Sequence, residues 1–410
     1  MNAQREHAQG LIEAADLDRA RDAIAGTASR TPALPSEELT ERAGGPVTLK
    51  AESLQRGGSF KLRGALSKLA ALGDDRAGLV TASAGNHGRA VALAARTRGV
   101  ECTVCMPAQA PVSKVAAIER LGARVELRGD SVEEALALAA ELAERTGAAF
   151  VHPFDDLDVI AGQATLGLEL LEDVPDLCRV IIPVGGGGLA SGVGIALRRA
   201  GVRGVQLVGV QAQACAPYLA ALDGREPAEE ELSAGATIAD GIAIKRPGRL
   251  TLPLLRELLD EVRTVTEDEI ADAIVLLAER AKLVSEGAGA VAAAALMNGC
   301  LDPMSGTTVA IVSGGNVDSG LLGALLRRRE TEEGRRVRIF TRVADRPGGL
   351  AELLGVIAGV RANVIAVEHV REAVPLHVRE TGVELTLETR GPAHTAELLA
   401  ALEGAGYAVA

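Results

Sequence analysis

Through most of the chain, short unbroken apolar runs alternate with stretches in which apolar residues recur at every third or fourth position. "GLVTAS" (78–83) precedes an alanine-rich helical pattern over 88–97. "VECTVCMP" (100–107) precedes one over 112–121, and "ARVELRG" (123–129) precedes one over 131–145. "RVIIPVG" (179–185) leads through glycines into "LASGVGIALRRA", while "VQLVGVQA" (205–212) and "TTVAIVSGGN" (307–316) are further apolar runs ending in glycine or polar residues. Continuous rather than alternating apolar strands, interleaved with helices, predict α/β architecture with parallel sheets covered on both faces. In such folds the site lies at the carboxyl ends of the strands.

The rhythm changes after "LLGALLRRRETEEGRR" (321–336), where a helical pattern fades into charge. This divides the chain into a body over 1–325, a charged linker over 326–336 and a module over 337–410. In the module, "VRIFTRV", "NVIAVEHV", "VELTLE" and "YAVA" read as strands, with helices over 349–359 and 393–403. That order is β-α-β-β-α-β, ferredoxin-like.

Composition narrows the function classes. The 410 residues are 48% hydrophobic but 1% aromatic, so Ala, Leu and Val must fill the cores. A net charge of -12 and the lack of a long basic run argue against a nucleic-acid partner. No apolar stretch approaches a membrane span, and "MNAQREHAQG" lacks the apolar core of a leader, so a cytoplasmic protein is expected. Cys102 and Cys105 have C-x-x-C spacing, but they fall within an apolar run and read as a buried strand rather than a redox or metal pair.

Four polar segments bear on chemistry. In "ESLQRGGSFKLRGA" (52–65), Lys61 stands where Leu62, Ala65, Leu66 and Leu69 begin a helix. A cation is the wrong sign for a helix N-terminus. It is either a first-turn surface lysine or an amine whose pKa is lowered for Schiff-base chemistry, with Phe60 as an apolar wall. "SAGNHG" (83–88) sets Ser83, Ala84, Gly85, Asn86 and His87 between a strand and a helix N-terminus. Free amides there attract a carboxylate or phosphate, although Ser83 or Asn86 could equally be caps and His87 a packed core histidine. In "GGGGLASG" (185–192), Gly185, Gly186, Gly187 and Gly188 let amides wrap an anion more closely than a tight turn requires. "SGGN" (313–316) ends a strand with Ser313, where a plain turn is the competing reading. Gly185, Gly187 and Ala190 also fit a dinucleotide fingerprint, but the next strand ends in Gln211 rather than the acid such a site needs.

Taken together, "SFKLRGA", "SAGNHG", "PVGGGGLASG", "IADGIAIKRPG" and "VSGGN" resemble, in this order, the pyridoxal-phosphate enzymes of the tryptophan-synthase-β fold, fold type II, and among them the threonine/serine dehydratases (threonine ammonia-lyases). The resemblance spans about residues 20–325. It implies a body of two parallel-sheet subdomains, with pyridoxal 5'-phosphate as cofactor and Lys61 as its Schiff-base lysine and proton carrier. By the same resemblance, Phe60 lies beside the cofactor, Asn86 bonds the ring hydroxyl, Gly185 to Leu189 hold the phosphate, and Ser313 bonds the pyridine nitrogen. Ser83, Ala84, Gly85, Asn86 and His87 would grip the substrate carboxylate. The implied reaction is β-elimination from L-threonine to 2-oxobutanoate and ammonia, with L-serine as a further substrate. The alternatives are another eliminase or replacement enzyme of this fold (acting on hydroxyaspartate, or making cysteine) and a catalytically idle amino-acid sensor.

Departures refine the expectation. Racemases of this fold carry a serine where Ala84 stands, so racemisation should be minor. Relatives that bind a divalent cation use an acid where Gln211 stands, so no such metal site is expected. "SEGAGA" (285–290) has Gly287 where relatives often have proline, and Glu286 reads as either a cofactor neighbour or a structural acid. "RVADRPGGLAELLGVI" with "ANVIAVEH" resembles an ACT domain, whose strand–helix turn would here be Asp345, Arg346, Pro347, Gly348, Gly349 and Leu350. The resemblance implies an amino-acid effector, with isoleucine or valine the first expectation, held by that turn with help from Asn363, and a homodimer or homotetramer.

Overall fold

The computed structural model describes residues 11–73, 78–202, 204–232, 237–299, 301–371 and 377–409. Residues 1–10, read above as lacking a leader's apolar core, lie outside them. The strands in chain order are β1 (Ala33–Pro35), β2 (Val47–Lys50), β3 (Leu79–Ala82), β4 (Cys102–Met106), β5 (Arg124–Leu127), β6 (Ala149–Phe150), β7 (Leu177–Pro183), β8 (Gln206–Ala212), β9 (Glu261–Val265), β10 (Thr307–Ile311), β11 (Arg336–Ala344), β12 (Asn363–Val370) and β13 (Glu380–Glu388). A six-stranded sheet has the order β1-β2-β10-β7-β8-β9, and a four-stranded sheet the order β5-β4-β3-β6. Every pair in these two sheets is parallel except β1 with β2. The continuous apolar runs account for this: β3, β7, β8 and β10 are buried along most of their lengths, as a sheet covered on both faces requires. Among the described residues, no helix is long and apolar enough to cross a membrane.

Cys102 and Cys105 both lie on β4 and remain free thiols. Three residues apart on a strand, they face opposite sides of the sheet and cannot share a metal or a disulfide. Burial pushes their thiols up to about 12 and about 11 respectively, so neither is a ready nucleophile.

Three helices fix the frame of the site. The helices Lys61–Leu72 and Gly188–Arg199 both pack on the buried helix Leu157–Asp173. A Cβ on Gly162 would lie 2.5 Å from the Arg63 carbonyl oxygen, and one on Gly192 would lie 2.5 Å from that of Ile160, so both contacts depend on glycine. Arg63, fully buried, is clamped by Glu52 (Nε–Oε2 2.9 Å, Nη2–Oε1 2.8 Å) and Glu169 (Nη1–Oε1 2.6 Å). Removing one partner from such a buried pair leaves an uncompensated charge, so this network fixes where the first turn carrying Lys61 must sit.

The chain divides into compact units at Met1–Asp318 and Ser319–Ala410. The stretch read as a linker over 326–336 is mostly helix: Ser319–Glu332 is continuous. Pairs one turn apart, Arg328 with Glu332 (2.7 Å) and Arg329 with Glu333 (2.8 Å), support it where apolar residues are few. In the second unit, β11, β13 and β12 form an antiparallel sheet in that order, flanked by helices Gly349–Gly359 and Pro392–Gly404. The fourth strand expected at "YAVA" is not formed over 407–409. Ala408 instead accepts the Thr341 hydroxyl through its carbonyl (2.7 Å), while Tyr407 and Val409 pack on the unit's core. Residue 410 lies outside the described residues.

Candidate active site

The strand ends converge as the parallel pattern requires. β10 and β7 are neighbours, so the segments after them, Ser313–Asn316 and Gly185–Gly188, leave the sheet side by side. The lysine segment is stitched to the first of these through the backbone. Ser59 pairs with Gly314, the Phe60 N–H donates to the Ser313 carbonyl (3.1 Å), and the Gly315 N–H donates to the Gly58 carbonyl (2.9 Å). Lys61 therefore opens its helix with Ser313 beside it, and no side-chain cap is present at that helix start.

Lys61 Nζ donates to the Pro153 carbonyl oxygen (2.8 Å) and lies 5.2 Å from the centre of the Phe60 ring. Burial pushes its amine down to about 8, with Glu286 pulling the other way. An ammonium on a helix N-terminus in an enclosed site is disfavoured for both reasons. Of the two readings of Lys61, a freely solvated surface lysine does not describe an amine enclosed on the Pro153 carbonyl.

The glycine segment is a cradle. Gly187 has φ +85°, the left-handed region, and serves as N-cap of helix Gly188–Arg199. A Cβ on Gly185 would meet Ile242 Cα at 2.8 Å, and one on Gly186 would enter the Phe154 ring at 2.1 Å. The Gly186 carbonyl accepts the hydroxyls of Tyr218 (2.7 Å) and Thr251 (2.8 Å), which turns the peptide so that the amides point elsewhere. Among the described residues, the amides of Gly185, Gly186, Gly187, Gly188 and Leu189 meet no protein acceptor. Unpaired amides at the start of a twelve-residue helix are a site for a dianionic phosphate.

Asn86 heads the helix Asn86–Arg98, and both ends of its amide are fixed. Its Nδ2 donates to Glu286 Oε1 (2.5 Å), and its Oδ1 accepts from Asn316 Nδ2 (2.7 Å). Glu286 is buried, and burial pushes its carboxyl up to about 7, against the pull of the Asn86 amide. Glu286 thus lies against Asn86. Ser313 is buried, and its hydroxyl makes one long bond, to the Ala288 carbonyl (3.3 Å). Ser83 Oγ accepts the Gly85 N–H (3.1 Å), so Ser83 shapes its loop, while the amides of Ala84, Asn86 and His87 meet no acceptor among the described residues.

His87 is a core histidine whose Nε2 pairs with the Val151 carbonyl (3.0 Å) while Nδ1 has no partner. Burial, reinforced by Lys61, pushes it down from 6.5 to about 3. With a depressed folded-state value, the unfolded chain binds the extra proton first. The stability from the neutral ring is therefore complete above pH 6.5 and is lost as pH falls toward 3. Comparing the melting temperatures of wild type and His87→Gln across that window should show a flatter acid limb in the variant, the difference approaching roughly 3–5 kcal/mol. Identical acid limbs would show that His87 does not titrate as described.

Several residues that shape the site carry no local signal. Pro153 receives Lys61, and Phe154 lies over the glycines. Asp155 accepts the amides of Arg249 (2.9 Å), Leu250 (2.9 Å) and Thr251 (3.1 Å) and so organises the segment that follows "KRPG" beside the cradle. Gln211 bonds the Val184 carbonyl through Nε2 (3.1 Å) and accepts the Leu219 amide (3.0 Å), which occupies both ends of its side chain.

The residues fit pyridoxal phosphate: an amine with a lowered pKa, a cradle of free amides for a phosphate, a fixed Asn86 and a buried hydroxyl lie at neighbouring strand ends. The family model "pyridoxal-phosphate dependent enzyme" matches residues 24–314. The chain belongs to this family. Within the family, an L-threonine ammonia-lyase of Thermotoga maritima is 44% identical over 401 residues, covering 97% of this chain and 99% of the relative. The catabolic L-threonine dehydratase of Escherichia coli is 42% identical, covering 74% of this chain and 92% of its own length. Among solved structures, a threonine deaminase from T.th. aligns with TM-score 0.69 at 40% identity, covering 75% of this chain and 99% of its own. Maize serine racemase aligns with TM-score 0.71 at 33% identity, covering 79% of this chain and 99% of its own. The family assignment thus carries the cofactor with it, and the fold type II architecture expected from the motifs is the one these structures share.

In the second unit, Gly348 has φ +91° and caps helix Gly349–Gly359, so the turn from Asp345 to Leu350 is formed. Asp345 pairs with Arg371 (3.2 Å). Asn363 donates to Glu388 (3.0 Å), and the register sets Glu388 beside Arg336, at the opposite end of the sheet from Ala344 and the Asp345 turn. Within one module the structure does not bring Asn363 to that turn.

Proposed function

We propose that this chain is a threonine ammonia-lyase that eliminates the β-hydroxyl of L-threonine and releases 2-oxobutanoate and ammonia, and that it also deaminates L-serine. The observation that carries the choice of reaction is Ser313, a neutral hydroxyl beside the lysine where a carboxylate would be needed to keep a pyridine nitrogen protonated. Bound pyridoxal phosphate supplies the electron sink for the pair released at the substrate α-carbon. With a hydroxyl rather than a carboxylate at Ser313, that sink would be the weaker one, which would favour loss of the β-hydroxyl.

Lys61, with a pKa near 8, takes the α-proton once its amine is free and returns it as the leaving hydroxyl departs. Gly185 to Leu189 hold the phosphate. Asn86, fixed by Glu286 and Asn316, would bond the ring hydroxyl, and the free amides of Ala84, Asn86 and His87 would receive the substrate carboxylate. The enamine released takes up water to give the oxo acid and ammonia. Ala84 offers only a methyl on its face of the site, which supports elimination with little racemisation. Threonine and serine differ by one methyl, worth about 1–3 kcal/mol in a pocket, so both are substrates.

The second unit is an ACT-type regulatory module in this reading, binding an amino-acid effector at the turn Asp345, Pro347, Gly348 and Leu350, and the working enzyme is a homo-oligomer. Support comes from the Gly348 cap of helix Gly349–Gly359, where the Gly349 amide is taken by the Arg346 carbonyl (3.1 Å) while those of Leu350 and Ala351 meet no acceptor among the described residues. On purified holoenzyme, kcat/KM for L-threonine and L-serine should lie within about 200-fold of each other, and D-serine formation should be slight. Isoleucine or valine should shift the threonine KM and bind by calorimetry. Absence of 2-oxobutanoate from threonine refutes the catalytic assignment, and no response to either amino acid refutes the regulatory one.

A further inference from the structure

The site draws on elements from both the four-stranded and the six-stranded sheet, and an ion pair bridges the two at its rim. Lys114 stands on helix Val112–Glu119, which follows β4, and Asp240 stands on the short 3-10 turn Asp240–Ile242 beyond β8. Lys114 Nζ lies 2.8 Å from Asp240 Oδ2. The turn that carries Asp240 is a wall of the site. Ile242 closes against Gly185, where a Cβ would meet its Cα at 2.8 Å. Gly241 faces Ala288 Cβ (2.9 Å from a Cβ placed on it) and Glu286 Oε1 (3.7 Å). Glu286 in turn holds Asn86. Asp240 is thus one residue from the site's inner surface, and both it and Lys114 act electrostatically on the Glu286 carboxyl. Arg89, which also acts on Glu286, is already held by Asn316 Oδ1 (2.5 Å).

A pair this exposed, with Lys114 at 39% and Asp240 at 63%, adds little to stability. Its consequence is the charge presented to an incoming substrate. We propose that Asp240 selects for amino acids with an uncharged side chain, because it holds the Lys114 ammonium at the rim and withholds it from the second carboxylate of a dicarboxylic β-hydroxy amino acid. A lysine ammonium on a four-carbon stem is mobile, so once Asp240 is neutral the same cation can swing toward a carboxylate entering the mouth. The inference rests on the dehydratase reading above and adds the residue that sets its side-chain preference.

The test uses holoenzyme and two substrates, L-threonine and L-threo-3-hydroxyaspartate, with Asp240→Asn, Lys114→Met and the double variant. Asp240→Asn should raise the hydroxyaspartate-to-threonine ratio of kcat/KM by about 10-fold, chiefly through KM, and added salt should shrink the gain. The double variant should lose that gain, and threonine kcat should remain within a few fold of wild type in all three. An unchanged ratio in Asp240→Asn overturns the proposal. A gain that survives in the double variant also overturns it, because Asp240 would then act by repulsion alone and not through Lys114. Wild-type enzyme inert toward threonine would instead refute the dehydratase reading, so the two failures are distinguishable.

Discussion

Lys61→Ala should lower threonine turnover by at least about 10,000-fold if, as proposed, one substitution removes both the group that retains the cofactor and the base that moves the α-proton. The lost side chain makes a single hydrogen bond, to the Pro153 carbonyl, so the folded chain should survive. The variant supplied with pyridoxal phosphate should also lack the visible absorbance that a lysine-linked cofactor gives the wild type. Lys61→Arg separates charge from chemistry: the guanidinium stays protonated at all working pH values and cannot act as the base, so it should be as inactive as alanine. Stopped-point assays of 2-oxobutanoate, with absorbance spectra of each variant, decide the matter. Turnover within about 10-fold of wild type in either variant would remove Lys61 from the chemistry.

Gly187→Ala should weaken cofactor retention by about 100-fold, the equivalent of one or two lost charge-assisted hydrogen bonds. Two effects act in the same direction. At φ +85° an L side chain is strained, and the new Cβ would lie 2.9 Å from Thr251 Cβ and 3.0 Å from both Leu255 Cδ1 and Tyr218 Oη. Relief requires rotating the peptide that Tyr218 and Thr251 anchor through Gly186, which turns the amides away from the phosphate. Absorbance titration of cofactor-free protein with pyridoxal phosphate measures the dissociation constant directly. Gly355→Ala serves as the control: that glycine is inside a helix of the second unit with nothing within 4 Å, so its affinity should match wild type. Equal affinities in the Gly187 and Gly355 variants would mean that the glycine run is merely a tight turn.

Much of the site was legible in the chain because its parts are local. Four consecutive glycines after an apolar run, and a lysine at the start of a helical pattern, each express a backbone or side-chain requirement within a few residues. The periodicity likewise placed β3, β4, β7, β8 and β10 and the helices between them. β2, "VTLK", and β9, "EVRTV", mix polar with apolar residues and lack the unbroken apolar run that marks β3, β7, β8 and β10. β6, two residues long, exists only because β3 offers it a ladder. The charged segment after Leu325 read as a linker because hydropathy does not register pairs such as Arg328 with Glu332.

The class of fold and the order of the motifs follow from the chain alone, because parallel strands and anion-binding loops are written in local composition, and the cofactor follows from the family that those ordered motifs resemble. Which side chains meet is a matter for three-dimensional packing. Asn86 and Glu286 are 200 positions apart, as Arg89 and Asn316 are 227 apart, and no periodicity links them. The same holds for Lys61 on Pro153, Asp155 beneath residues 249–251, and Lys114 across the rim from Asp240. Burial is likewise a property of the packed molecule. The lowered amine of Lys61 and the raised carboxyl of Glu286 follow from desolvation, which no stretch of sequence can report until the sheets have closed around it.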